Sequence, residues 1–159
     1  MLHLDEREIR ALEQLIRRLE RTSPLSREQA SKLWEARSRR ISQRMAALGE
    51  TFGQASGAPT HLTQGEAHFR AEMRRVADSL VDQVMIVQTM LDDWFFHGDD
   101  LAPYYPARIP VILRKGKAFE LERRYLEAWI PHLGAMHSES SRVLSMVERM
   151  RKIGVRAAT

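Results

Sequence analysis

A group of carboxylates and one histidine lies within nine consecutive positions near the middle of the chain. Asp92 and Asp93 are followed by His97, Asp99 and Asp100. Clusters rich in carboxylate oxygen suit Mg²⁺ or Ca²⁺. However, the spacing matches no calcium loop, and two adjacent residues of a helix point about 100° apart. We therefore expect solvated acids at a helix end, and a metal-dependent site around Asp92–Asp100 is a further alternative.

Acids at the C-terminal end of a helix interact unfavourably with the helix dipole, so basic side chains should compensate them. The candidates that follow along the chain are Arg108, Arg114, Lys115 and Lys117.

Other catalytic patterns are weak or missing. His68 and Glu72 share a helix face, but they reverse the Glu-x-x-His order of di-iron bundles and have no second copy. The sequence has no cysteine, no G-x-S-x-G elbow and no glycine-rich phosphate loop. We predict that the protein is not an enzyme and uses neither a metal nor another cofactor.

Arginine dominates the basic residues, with 21 Arg against 4 Lys. Arg37, Arg40 and Arg44 recur at steps of three and four, which places them on one strip of a helix. A second basic cluster follows the aromatic pair Tyr104 and Tyr105. Basic groups next to aromatic rings suit single-stranded nucleic acid. Alternatively, the arginine stems follow the edge of the core and their heads meet carboxylates. The residues of this nucleic-acid alternative are Arg37, Arg40, Arg44, Arg114, Lys115, Lys117, Arg123 and Arg124.

Charge is distributed unevenly along the chain. Residues 1–60 carry +3, residues 61–106 carry −5 and residues 107–159 carry +6, which together give the formal charge of +4. Such asymmetry indicates either that acidic and basic helices pack together within the chain, or that a basic surface meets an acidic partner.

The stretch from Trp94 to Lys117 is rich in aromatic residues and proline. Rings flanked by prolines cannot all face a core easily, so at least one of the two tyrosines should be exposed. Stiff aromatic connections also make good binding surfaces. We therefore predict a partner-binding surface formed by Trp94, Phe96, Tyr104 and Tyr105.

Helix signals dominate the sequence. Asp5 with Glu8 predicts a capping box at the start of a first helix, and Ser26 with Gln29 predicts a second. Thr63 with Glu66 predicts a third. The second helix carries a stripe of apolar residues that we expect to face the core, and its regular spacing is interrupted at Arg37–Ser38. The residues of this stripe are Ala30, Leu33, Trp34, Ile41, Met45, Leu48 and Phe52.

The later helices are separated by breaking residues. The Leu80–Leu91 stretch is apolar on nearly every face, which predicts a central helix or an oligomer interface. Pro103, Pro106 and Pro110 predict a non-helical connection before a last helical region, which should break near Pro131.

These patterns predict one all-α domain over residues 1–159. We expect a bundle of four to five helices with antiparallel neighbours, a flexible loop at about 53–62 and a loose tail at about 154–159. The size and composition favour a bacterial accessory or structural subunit, or a homo-oligomer, that binds a protein partner. With no cysteine, no secretory signal and no long apolar run, we expect a cytoplasmic location without membrane insertion.

Overall fold

The computed structural model describes residues 3–56, 66–136 and 139–155. Within these ranges the chain is all-helical and contains no strand, which confirms the predicted class. The described α-helices are α1 Glu6–Arg21, α2 Arg27–Leu48, α3 Phe52–Ser56, α4 Glu66–Val76, α5 Leu80–His97, α6 Tyr104–Lys115, α7 Phe119–Trp129 and α8 Ser141–Lys152. A 3-10 helix, Ile130–Ala135, joins α7 to the segment before α8. The predicted count of four to five helices is wrong, and the antiparallel bundle arrangement stays a prediction.

The first two helices start where their capping residues predict. The Glu8 N–H donates to Asp5 Oδ1 at 2.8 Å, and the Asp5 N–H donates to Glu8 Oε2 at 3.1 Å. Ser26 and Gln29 make the equivalent pair of bonds at 3.1 and 3.0 Å. These reciprocal bonds satisfy backbone donors that a helix start leaves unpaired. The predicted box at Thr63 lies outside the described residues.

Helix α5 is the centre of the described structure. It packs against α1, α2 and α6, and α1 and α6 both also pack on α7. Its buried side chains, which include Leu80, Val87 and Leu91, follow the faces turned to those neighbours. A helix with three neighbours needs apolar residues on most of its circumference, which explains the composition of Leu80–Leu91.

Gly98 sets how closely α2 approaches the end of α5. It caps α5 in the left-handed conformation with φ of 69°. A Cβ atom built on Gly98 would overlap the backbone carbonyl of Ala30 in α2. Both the backbone conformation and the contact therefore require glycine at this position.

The predicted proline-rich connection contains a helix instead. Pro103 is the N-cap of α6 and Pro106 lies in its first turn, where the helix needs no backbone N–H donor. Only Pro110 lies in the helix interior, where it removes the bond that its N–H would donate to the Pro106 carbonyl. The hydroxyl of Tyr125, from α7, donates to that carbonyl at 2.8 Å. A side chain from a neighbouring helix thus replaces the missing bond.

Glu122 joins the three C-terminal helices through its carboxylate. It is buried in α7, and it accepts hydrogen bonds from Arg149 of α8 at 2.7 and 3.0 Å. Arg114 of α6 lies 3.1 Å from the same carboxylate. Two partly exposed guanidinium groups therefore compensate one buried negative charge.

The predicted break in the last helical region is confirmed, because the chain becomes a 3-10 helix at Ile130–Ala135 with Pro131 in its first turn. The predicted loop at 53–62 begins with the short helix α3, and its remainder from 57 lies outside the described residues. Of the predicted loose tail, Gly154 and Val155 are described. Val155 is buried, and its N–H donates to the Met150 carbonyl at 2.8 Å.

We predict that Tyr125→Phe destabilises the protein by about 1–3 kcal/mol, because it leaves the buried Pro106 carbonyl without a donor. Pro110→Ala restores a backbone N–H that can donate to the same carbonyl. In the double variant, the loss of unfolding free energy should therefore be smaller than the sum of the two single losses. Urea denaturation of the four proteins measures this coupling, and strictly additive losses would contradict it.

We predict that Glu122→Gln lowers the free energy of unfolding by about 2–4 kcal/mol. This lies slightly below the ~3–5 kcal/mol typical of breaking a fully buried pair, because both arginines keep some contact with water. Glu148→Gln is the matched control, since Glu148 pairs with Arg151 on the exposed side of α8, where solvent screens the interaction, and it should change the free energy of unfolding much less. Equal effects of the two substitutions would show that Glu122 does not hold the helices together.

Candidate interaction surface

The acidic cluster at the end of α5 is neutralised from earlier helices. Arg18 of α1 donates to Asp92 at 2.6 Å, and Arg37 of α2 pairs with Asp99. The expectation that the basic residues after the cluster compensate it is therefore wrong for these two carboxylates. Helices α1 and α2 both pack on α5, which brings Arg18 and Arg37 closer than residues later in the chain.

Two of the basic residues that were expected at the cluster pair with Asp78 instead. Arg108 and Lys115 of α6 lie 2.6 and 3.0 Å from its carboxylate. The hydrogen bond from Lys115 is the main reason that the pKa of Asp78 is lowered from its usual value. Among the residues that the structure describes, no three acidic or histidine side chains are grouped so that they could hold a metal ion.

The carboxyl group of Asp93, near the end of α5, is partly buried. Burial raises the pKa of Asp93, and the nearby charge of Asp99 raises it further, while Arg37 opposes both effects. A carboxyl group with a raised pKa is less stable as a carboxylate in the folded protein than in water. Asp93 is therefore a local source of instability at neutral pH.

Most of the predicted nucleic-acid residues make contacts within the chain. Arg44 makes two hydrogen bonds to Glu50 at 3.1 and 3.0 Å, and Arg37 also donates to the Ser56 carbonyl. Arg123 donates to the Ile153 carbonyl at 2.8 Å.

Three more of these residues meet carboxylates, since Arg114 pairs with Glu122, Lys115 with Asp78 and Arg124 with Glu13. In the described structure only Arg40 and Lys117 of the eight make no such contact. Contacts within the chain thus account for most of the arginine pattern.

The four predicted partner-binding aromatic residues do not form one surface. Trp94 is 2% exposed and lines a cleft against α2, whereas Phe96 on the same helix is 66% exposed. Tyr105 is buried, and the ring of Tyr104 packs edge-on against it and lies under the guanidinium of Arg142. Of the four, Phe96 exposes the most of its ring, and its role as a partner contact stays a prediction.

The largest departure from the sequence pattern is the second half of α2. Its predicted core stripe is buried only at Ala30 and Ile41. Every residue from position 42 to Gly49 is exposed, including Met45 and Leu48, and Leu48 is 64% exposed. Phe52, at the start of α3, is exposed as well. The end of α2 is thus an amphipathic helix without a cover in the described structure.

Basic side chains accompany these apolar residues. Arg40, Arg44 and Leu48 line one shallow depression of about 370 Å³ on α2. The side chains of Arg39 and Arg40 form no ion pair or hydrogen bond with the part of the chain that the structure describes. We call the surface formed by Arg40, Arg44, Met45, Leu48 and Phe52 the α2 ridge.

A second apolar feature lies between α4 and α5. A groove of about 230 Å³ is lined by Phe69 and Met73 of α4 and by Met85 and Ile86 of α5. We call it the α4–α5 groove. Met85 is 63% exposed although it belongs to the most apolar helix of the chain.

The polar lining of the α4–α5 groove is slightly acidic. Glu72 and Arg75 pair with each other at 3.0 Å, so their charges cancel. Asp82 also lines the groove, and it makes no ion pair within the described ranges. Apolar walls whose lining holds two carboxylates and one guanidinium suit an apolar group that has a cation beside it.

Neither the ridge nor the groove was recognised from sequence. Met45, Leu48 and Phe52 were interpreted as core residues because they continue the period of Ala30 and Ile41. The interruption of that period at Arg37–Ser38 was the available signal that the stripe is not covered along its whole length, although the buried Ile41 follows the interruption and the exposed Trp34 precedes it.

Comparison with known proteins gives no further assignment, because no family model, curated protein or solved structure matches the chain. In the described ranges, no helix has both the length and the apolar character needed to cross a membrane.

We predict that Asp93→Asn raises the melting temperature at pH 7. The pKa of Asp93 is raised in the folded protein. The free energy of unfolding therefore falls as the pH rises from the unfolded-state pKa to the folded-state pKa, and this loss is complete above the folded-state pKa. The substitution removes this loss, so wild type and variant should converge well below pH 3.8, where the carboxyl group is neutral in both states.

Asp78→Asn is the control of opposite sign. The ionised Asp78, whose pKa is lowered in the folded protein, stabilises the fold above the unfolded-state pKa, and this stabilisation is lost on acidification. The Asp78→Asn variant should therefore have a slightly lower melting temperature than wild type at pH 7. Thermal melts between pH 3 and 7 compare the two. A lower melting temperature for Asp93→Asn at pH 7 would contradict the assignment.

Proposed function

We propose that the protein is a non-enzymatic helical protein that acts by binding another protein chain through the α2 ridge. The observation that carries this proposal is the exposed end of α2, where Met45, Leu48 and the neighbouring Phe52 form no core. Exposed apolar residues that are grouped and bordered by charge are typical of protein–protein contacts. The ridge thus replaces the aromatic connection as the first candidate surface.

The ridge is already ordered before any partner binds. Gly49 ends α2 in the left-handed conformation, and its N–H donates to the Met45 carbonyl at 3.1 Å. The pair Arg44–Glu50 joins the last turns of α2 to the following residues, and α3 packs back on α2. A partner would therefore meet a formed helix and avoid most of the cost of ordering it.

The remaining features agree with a binding role. The described residues offer no grouped metal ligands, and most of the basic residues that could bind nucleic acid make contacts within the chain instead, as Arg114 and Arg124 do. A protein with these properties fits an accessory or structural subunit, and the lack of cysteine fits action in a reducing cytoplasm.

The test places a photo-crosslinking amino acid at position 48 of the full chain, expressed in the cells that encode it. Leu48 is exposed and lies on the ridge, so irradiation should produce a discrete adduct at higher mass. The matched control is position 144, because Leu144 of α8 is similarly exposed at 57% but lies far along the chain from the ridge. An adduct from position 48 and none from position 144 is the expected result.

The mass and sequence of the adduct then identify the partner. An adduct of about twice the 18.4 kDa of the chain would contain a second copy, and any other mass would identify a different protein. No adduct from position 48, or equal adducts from both positions, would overturn the proposed function.

A further inference from the structure

We infer that the partner of the α2 ridge is the α4–α5 groove of a second copy of this chain. This inference rests on the proposed function and names the partner of the same surface. The same chain exposes two surfaces that complement each other in shape and charge.

The two surfaces match in apolar character. The ridge presents Met45, Leu48 and Phe52 as exposed projections, and the groove is a concave surface lined by Phe69, Met73, Met85 and Ile86. Methionine side chains adapt readily to the shape of an inserted group. An amphipathic helix laid into an apolar groove is also a common mode of recognition between chains.

The two surfaces also match in charge. Arg40 on the ridge has no carboxylate partner in the described structure, and the lining of the groove holds two carboxylates against one guanidinium. Opposite charges at the edges favour this pairing and set its orientation.

A contact between two ridges is less favourable. If two α2 helices paired antiparallel, the flank that carries Arg40, which has no carboxylate partner in the described structure, would face its own copy. Like charges in such a position oppose association. The groove, in contrast, brings no additional uncompensated positive charge to the contact, since its Arg75 is paired with Glu72.

A ridge that binds a groove joins two different surfaces. The contact closes into a two-fold dimer if each copy inserts its ridge into the groove of the other, and otherwise it continues into a larger assembly. In both cases every contact needs one intact ridge and one intact groove.

The experiment is sedimentation velocity on the purified full chain over a range up to about 100 μM, a concentration at which a micromolar interface would be occupied. Leu48→Asp places a charge on the ridge and Met85→Asp places one in the groove. Both side chains are exposed, so neither substitution should disturb the core. We expect wild type to associate, and each variant to associate at least about 10-fold more weakly.

The mixture of the two variants gives the decisive result. Leu48→Asp retains an intact groove and Met85→Asp retains an intact ridge, so an equimolar mixture should regain association through one wild-type contact per pair. Leu144→Asp, on α8, should behave as wild type. Association should also weaken as salt rises, because edge charges are screened.

Three outcomes overturn the inference. The first is a wild-type chain that stays monomeric, and the second is a Met85→Asp variant that associates normally, as a contact between ridges requires. The third is a mixture that does not regain association. If position 48 nevertheless crosslinks to a different protein, the proposed function stands and only the second copy is excluded.

Discussion

The position of α2 depends on one close backbone contact, between Gly98 at the end of α5 and the carbonyl of Ala30. Helix α5 already has α1 and α6 as neighbours, so α2 can be covered only along the part that lies against α5. Ile41 is the last buried residue of α2, and the following two turns extend beyond that cover. The contact between Gly98 and Ala30 fixes the start of α2 against α5. The last two turns of α2 then extend beyond α5 and stay exposed.

The charged residues of the chain connect its elements through ion pairs. Arginines on α1, α2, α6 and α8 pair with carboxylates on neighbouring elements, and the buried Glu122 receives two of them. These pairs join elements that are distant in sequence, as Arg18 and Asp92 do. Because their heads are occupied, the paired arginines add little free positive charge to the surface, which weakens the interpretation that they bind nucleic acid.

Features that depend on residues close together in the sequence were predicted correctly, whereas contacts between residues far apart in the sequence were not. The boxes at Asp5 and Ser26 involve residues three apart, so the sequence alone determines the bonds. Helix α6 was missed because the tolerance for Pro110 depends on Tyr125, a donor from the next helix. The predicted stripe of α2 is buried only at Ala30 and Ile41, because periodicity cannot tell which neighbour covers a face. For the same reason the partners of Asp92 and Asp99 were assigned to the wrong helices.

The exposed end of α2 is an unusual place to keep helical order. Short helices without tertiary packing are marginal in water, and packing usually supplies most of their stability. Here the order is supplied by the contacts of α2 with α5, the Gly49 cap, the Arg44–Glu50 pair and the contact with α3. None of these buries Met45 or Leu48, so the helix is stabilised while its apolar side chains stay accessible. A formed helix with uncovered apolar residues can bind with little ordering cost, which is the property that a docking element requires.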